Sequence, residues 1–66
     1  MMVLVNGEPR EVKAARTVAA FVEEFGLPAP TLLIEHNGVA LTRSEWAATT
    51  LADNDRIELL RVTAGG

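Results

Sequence analysis

Cysteine is absent from this 66-residue chain, which excludes a disulfide framework, a thiol nucleophile and a cysteine-ligated metal. A small fold without such staples is expected in the cytoplasm. Aromatic residues are scarce, with Phe21, Phe25 and Trp46 the only three, so the core is expected to be aliphatic with a few large side chains. Basic charge is also in short supply. Six Lys and Arg stand against nine Asp and Glu, and the six (Arg10, Lys13, Arg16, Arg43, Arg56 and Arg61) are scattered. Neutralising phosphates needs a concentrated basic face, so nucleic acid is not an expected partner, whereas a basic protein partner suits the balance. Long apolar runs are missing too. Met1-Met2-Val3-Leu4-Val5 meets Asn6-Gly7-Glu8 at once, too soon for a signal peptide or a membrane span. A chain of this length forms one domain, buries only about 60% of its unfolded surface, and has no room for a deep active site.

What is present reads as alternating strands around one helix. Val3 and Val5 face one side of a first strand, and Met2 and Leu4 the other. Asn6-Gly7 supplies the positive-φ pair of a tight hairpin, after which Glu8 to Ala14 returns as a second strand with Pro9 at its beginning or at a sheet edge. Val18, Phe21, Val22 and Phe25 fall at i, i+3, i+4 and i+7, giving a helix with one apolar face. Thr17 is placed to cap its start, and Gly26 its end; Pro28 and Pro30 forbid continuation. Leu32, Ile34 and His36 share one face of a third strand, Thr31 to His36, with Leu33 and Glu35 on the other. A second turn at Asn37-Gly38 follows. Thr42 to Ala48 reads as a crossover with a short helical turn. Asp53-Asn54-Asp55 is a turn cluster, and Arg56 to Val62 is the last strand, able to return beside the first. One helix gripped by such a sheet is an α+β layout.

Candidate chemistry is thin. Glu23 and Glu24 are adjacent on the helix, point in different directions, and read as solvated. Asp53 and Asp55 lack the further ligands of a calcium loop and read as turn formers. His36, the one histidine, reads as a half-buried strand residue, because a transition-metal site needs more imidazoles or thiolates. Trp46 beside Arg43 has two readings: an exposed partner-binding residue of the kind enriched at interface hot spots, or a side chain that closes the core. Ser44 and Thr42 have no base or orienting acid to activate them. No phosphate-binding loop is present. By elimination the chain reads as a substrate or partner of enzymes and not as a catalyst, with no cofactor or metal of its own.

The sequence stops at Gly65-Gly66. Thr63-Ala64-Gly65-Gly66 is a tail without bulky side chains, suited to threading a narrow slot because glycine has no Cβ to collide with its walls. Such a tail is either a stalk for a reactive terminal carboxylate or a frayed end. The domain is then residues 1–62, with residues 63–66 as a flexible tail. With Val3, Val5, Ile57 and Leu59 facing the helix, Leu4, Leu60 and Val62 lie on the opposite sheet face, where an apolar patch near the tail could bind partners.

Taken together, Val3-Leu4-Val5-Asn6-Gly7-Glu8, Thr17-Val18, Asn37-Gly38, Arg43-Ser44-Glu45-Trp46, Asp53-Asn54-Asp55-Arg56-Ile57 and Ala64-Gly65-Gly66 resemble the thiamine-biosynthesis sulfur-carrier family, over essentially the whole chain. Thr42 departs from the family's frequent proline, and His36 from its usual aliphatic residue. The resemblance implies a ubiquitin-like β-grasp fold, a mixed four- to five-stranded sheet packed on one main helix. It also implies a chemistry. An ATP-dependent activating enzyme adenylates the Gly66 carboxylate; a sulfur donor protein converts it to a thiocarboxylate; and thiazole synthase takes the sulfur. In that scheme Gly65 and Gly66 form the adenylated, sulfur-carrying terminus, and Leu4, Leu60, Val62 and Ala64 bind partners. ATP is used by the activating enzyme and not held by the carrier. The small subunit of molybdopterin synthase shares this fold and tail chemistry, and Arg43-Ser44-Glu45-Trp46 favours the thiamine carrier over it. Carriers dedicated to other pathways share the same pattern. From a different class, a non-covalent β-grasp interaction module would make the tail dispensable, and a ubiquitin-like modifier would give amide-linked adducts.

Overall fold

The computed structural model describes residues 1–62. Among these residues five strands form one sheet in the order β2-β1-β5-β3-β4: β1 (Met2–Val5), β2 (Glu8–Glu11), β3 (Leu32–His36), β4 (Val39–Leu41) and β5 (Arg56–Arg61). The last strand lies at the centre. It runs parallel to β1 and antiparallel to β3, while β1–β2 and β3–β4 are antiparallel hairpins. Asn6-Gly7 and Asn37-Gly38 turn them, with φ of 50° and 82° in the first and 50° and 86° in the second. Those are the paired positive values that match the twist of two-residue hairpins. Among the described residues no helix is long and apolar enough to cross a membrane.

One helix, α1 (Val18–Glu24), packs on the sheet. The Thr17 hydroxyl caps it by accepting from the Ala20 N–H at 3.1 Å. Its far end closes in a Schellman arrangement: Leu27 N–H donates to the Val22 carbonyl at 3.0 Å and Gly26 N–H to that of Glu23 at 3.1 Å, with Gly26 at φ +63°. Val18, Phe21 and Val22 are buried. Phe25 is the C-cap, half-buried, with its ring centroid 4.5 Å from that of Phe21. Under this face lie Val3, Val12, Leu32, Ile34 and Ile57, so the alternation in β1, β3 and β5 supplies the other half of the core.

Several boundaries differ from the sequence reading, among them that of the last strand, which ends at Arg61 and not Val62. β2 ends at Glu11, not Ala14, because its partner β1 has run out. Val12 N–H makes a last bond to the Met1 carbonyl at 2.7 Å, and Val12 then turns fully into the core. β3 starts at Leu32, since Ala29–Thr31 forms a single 3₁₀ turn with Pro30 inside it. Val39–Leu41 pairs with β3 as a fifth strand, too short to show a period.

The crossover before β5 is a 3₁₀ segment, Arg43–Ala48. The Glu45 carboxylate accepts the Thr42 N–H at 2.7 Å, and that bond draws the Glu45 carboxyl below its ordinary value. Behind it, Val18 N–H bonds to the Thr49 carbonyl and Leu51 N–H to that of Arg16, a two-bond clasp between the entry to α1 and the return to the sheet.

Candidate functional site

The end of β5, with Val62 just after it, is the last described part of the chain before the tail. Along the strand Ile57 and Leu59 point to the helix and Glu58 and Leu60 to the outer face, and Val62 continues that alternation. Leu60 is 56% exposed and Val62 49%. The register puts Leu60 directly opposite Leu33, itself 53% exposed, and Val62 N–H donates to the Thr31 carbonyl at 2.7 Å. These three apolar side chains therefore gather where the chain leaves the sheet. They form a patch rather than the isolated exposed residues any protein carries.

Leu4 belongs to a different part of that face. It pairs with Arg56 and, on the other side, Pro9, and it is half-buried. Leu60 lies four positions beyond Arg56 on β5, roughly 13 Å at the strand rise, with Glu58 between. The structure thus joins Leu60 and Val62, adds Leu33, and leaves Leu4 at the opposite end. Leu33 could have been found from the sequence only with the β3–β5 register, which no local pattern supplies. Ala64, Gly65 and Gly66, with the whole of residues 63–66, lie outside the described residues.

On the helix side, Trp46 is buried at 4% exposure, so of its two readings the core-closing one holds. The Arg43 guanidinium lies over its ring, 4.9 Å from the centroid, a cation–π contact. With Ala19, Val22, Glu23 and Ala29 these two line a shallow cleft of about 310 Å³. Ser44 and Thr42 hydroxyls bond to each other at 3.2 Å.

The other polar candidates are structural. His36 Nε2 sits 2.7 Å from Asp55 Oδ2, and the same carboxylate accepts the Ala52 N–H at 2.9 Å and the Asn37 amide at 3.1 Å. Burial pushes the Asp55 carboxyl up; the bonds from His36, Asn37 and Ala52 together outweigh it and hold the group below its ordinary value. Asp53 Oδ1 accepts the Met2 N–H at 2.8 Å, so both acids of the turn fasten it to the sheet. Among the described residues no group of acids and histidine is arranged to hold a metal. Glu24, read from the sequence as solvated, instead accepts three backbone N–H groups, from Lys13, Ala14 and Ala15, at 2.8, 3.0 and 2.9 Å. Those bonds lower its carboxyl.

A family model described as the ThiS family matches residues 3–66. The chain belongs to the ThiS family. The crystal structure of the thiamine biosynthesis protein ThiS from Geobacter metallireducens is similar over 100% of both chains, at 33% identity and a TM-score of 0.86. The solution structure of a thiamine biosynthesis protein from the same organism gives 0.78 at 33% identity, over all of this chain and 88% of the other. The ubiquitin-like β-grasp is thus the fold of this ThiS-family chain. Among curated proteins, similarity extends to a thiazole synthase from Paramagnetospirillum magneticum, 30% identical over 66 residues, and one from Magnetococcus marinus, 27% identical over 66 residues. The ThiS-family chain spans 20% of the length of each.

Proposed function

We propose that this ThiS-family chain is the sulfur carrier of thiazole formation in thiamine biosynthesis. The observation that carries the reading is a family match running through Gly65-Gly66, on a fold whose final strand leads from an exposed apolar patch into that tail. The chain acts as the substrate of other enzymes, in the cytoplasm. The reading requires a free Gly66 carboxylate.

An ATP-dependent activating enzyme docks on the Leu33, Leu60 and Val62 patch, and the tail reaches its active site. The Gly66 carboxylate attacks the α-phosphate of ATP, releasing pyrophosphate and leaving an acyl adenylate with AMP as a good leaving group. A nucleophilic sulfur, sulfide or the terminal sulfur of a persulfide on a donor protein, then displaces AMP. With a persulfide the product is an acyl disulfide, which a thiol cleaves to the thiocarboxylate. Thiazole synthase accepts the sulfur. Its partnership is supported by the presence, within proteins named thiazole synthase, of segments similar to this whole chain.

The test is the intact mass of the protein after incubation with ATP, a sulfur source and the activating enzyme of the same organism. A gain equal to the exchange of one oxygen for one sulfur is expected. An unchanged mass, with an activating enzyme shown competent on another carrier, would instead favour a non-covalent interaction module.

A further inference from the structure

Beside the apolar patch the outer sheet face carries an uncompensated pair of acids. Glu35 on β3 stands directly opposite Glu58 on β5, two rungs along from Leu33 and Leu60 and therefore the next pair on the same face. Directly paired residues on one face have Cβ atoms about 5 Å apart, and like charges there are destabilising. Nothing nearby relieves them. Neither carboxylate has an ion pair within 4.0 Å or a hydrogen bond among the described residues. Arg56, two residues before Glu58 and on the same face, pairs with neither. Ala40, the next position on that rung, is too small to shield Glu35. The fold gains nothing from this arrangement, because any neutral strand former at either position would pair better.

We infer that Glu35 and Glu58 together receive a cationic side chain, an arginine or lysine, from the protein that docks on Leu33, Leu60 and Val62. An arginine fork can bond one carboxylate on each of its edges, converting the repulsion of the free carrier into attraction in the complex. The rung is continuous with the apolar patch, so one partner surface covers both. The net charge of −3 favours the approach of a basic surface in general. The inference rests on the reading above, with the activating enzyme as the occupant.

Its signature is a pair of effects of opposite sign. Glu58→Gln and Glu35→Gln are expected to raise Tm, by removing like-charge repulsion, and to lower the kcat/KM for carrier adenylation about tenfold at low salt. The loss falls mainly on KM and narrows as salt screens the interaction. Glu58→Arg, which pairs with Glu35, raises Tm further and lowers kcat/KM more. Pyrophosphate exchange with the activating enzyme of the same organism, at low and high salt, reads the kinetics; thermal melts read the stability. Adenylation within twofold of wild type in both glutamine variants overturns the inference, as does a fall in Tm parallel to a fall in rate. A wild-type carrier that is adenylated and gains sulfur while the variants match it leaves the sulfur-carrier reading standing and removes this one. A wild type that is neither bound nor adenylated removes both.

Discussion

Glu24 holds Ala15 from the far end of α1: its Oε1 accepts the Ala15 N–H at 2.9 Å, and the same carboxylate takes the N–H groups of Ala14 and Lys13. Three donors in succession, left without strand partners where β2 ends, converge on one anion. The last turn of α1 thereby fixes the loop that leads back into its own first turn. Replacing Glu24 by Gln removes the charge and one acceptor oxygen, and is expected to lower Tm by about 5 °C at neutral pH.

The pH dependence of that effect has a definite sign. The folded carboxyl of Glu24 lies below its ordinary value of 4.5, so its stabilisation is complete above that value and is lost as pH falls through it and then through the folded pKa. The Tm difference between wild type and Glu24→Gln should be full at pH 7 and shrink in acid. Circular-dichroism melts at pH 7 and pH 3 decide it. Equal melts at pH 7 would show that Glu24 is the solvated residue its sequence position suggests; a difference that persists unchanged in acid would show that its charge is not what holds the loop.

Asp55 ties three segments: β3 through His36, the turn after β3 through Asn37, and its own turn through Ala52. Its side chain is only 12% exposed, so Asp55→Ala leaves several polar groups without partners and is expected to cost about 2 kcal/mol. His36→Leu keeps the Ala52 and Asn37 bonds to Asp55 and puts an aliphatic side chain at a half-buried strand position, so it should cost less than about 1 kcal/mol. Because the Asp55 carboxyl is lowered in the fold, its contribution is present above the ordinary carboxylate range and fades as pH drops through its folded pKa. Urea denaturation of both variants separates the residues. A His36→Leu variant as unstable as Asp55→Ala would make the histidine, and not the carboxylate, the centre of the tie.

The Glu24 result bears on what a sequence of this kind discloses. Period and punctuation were enough for the helix face Val18, Phe21, Val22, the Asn6-Gly7 hairpin, the turn at Asn37-Gly38 and the outward side of Leu60 and Val62, because each is a local pattern; that the last strand could return beside the first rested on the α+β layout. What escaped depends on distant pairing. Glu24 looks like any exposed helical acid until the chain end of β2 is folded onto it. Leu33 becomes the neighbour of Leu60, and Glu35 that of Glu58, only once the β3–β5 register exists. β4 is three residues held by a hairpin rather than by its own alternation. Trp46 was undecided for the same reason: only the packing of Arg43–Ala48 against α1 determines whether its ring faces water or core.

The apolar patch gives a prediction that separates folding from docking. Leu60 and Leu33 are more than half exposed, so Leu60→Glu and Leu33→Glu should keep the fold and lower Tm only by the added repulsion from Glu58 and Glu35. Losing one apolar contact and placing a charge in a desolvated interface should lower kcat/KM for adenylation at least about tenfold. Leu4→Glu is expected to behave in the opposite way. It buries a charge at a half-buried position and so lowers Tm, while adenylation by the folded fraction changes little, since Leu4 lies at the other end of the face. Pyrophosphate exchange and melting curves on the three variants are sufficient. Adenylation of folded Leu60→Glu at the wild-type rate would take the patch out of the docking surface.

The tail supplies the last prediction, and the one on which the carrier reading depends most directly. Adenylation and sulfur transfer both occur at a single carbon, whose position relative to the docked domain is set by the number of residues after β5. A nucleophile and its target must approach to near contact, and a displacement of about 1 Å already costs on the order of 100-fold. One residue of extended chain moves the terminus by about 3.4 Å. Deleting Gly66, or adding one residue after it, should therefore abolish sulfur loading by the intact-mass assay. Tm should stay unchanged, because every buried core residue lies at or before Ile57 in the chain. A tail-extended protein that still acquired sulfur, with its full length verified by mass, would mean that the reactive group is not the Gly66 carboxylate.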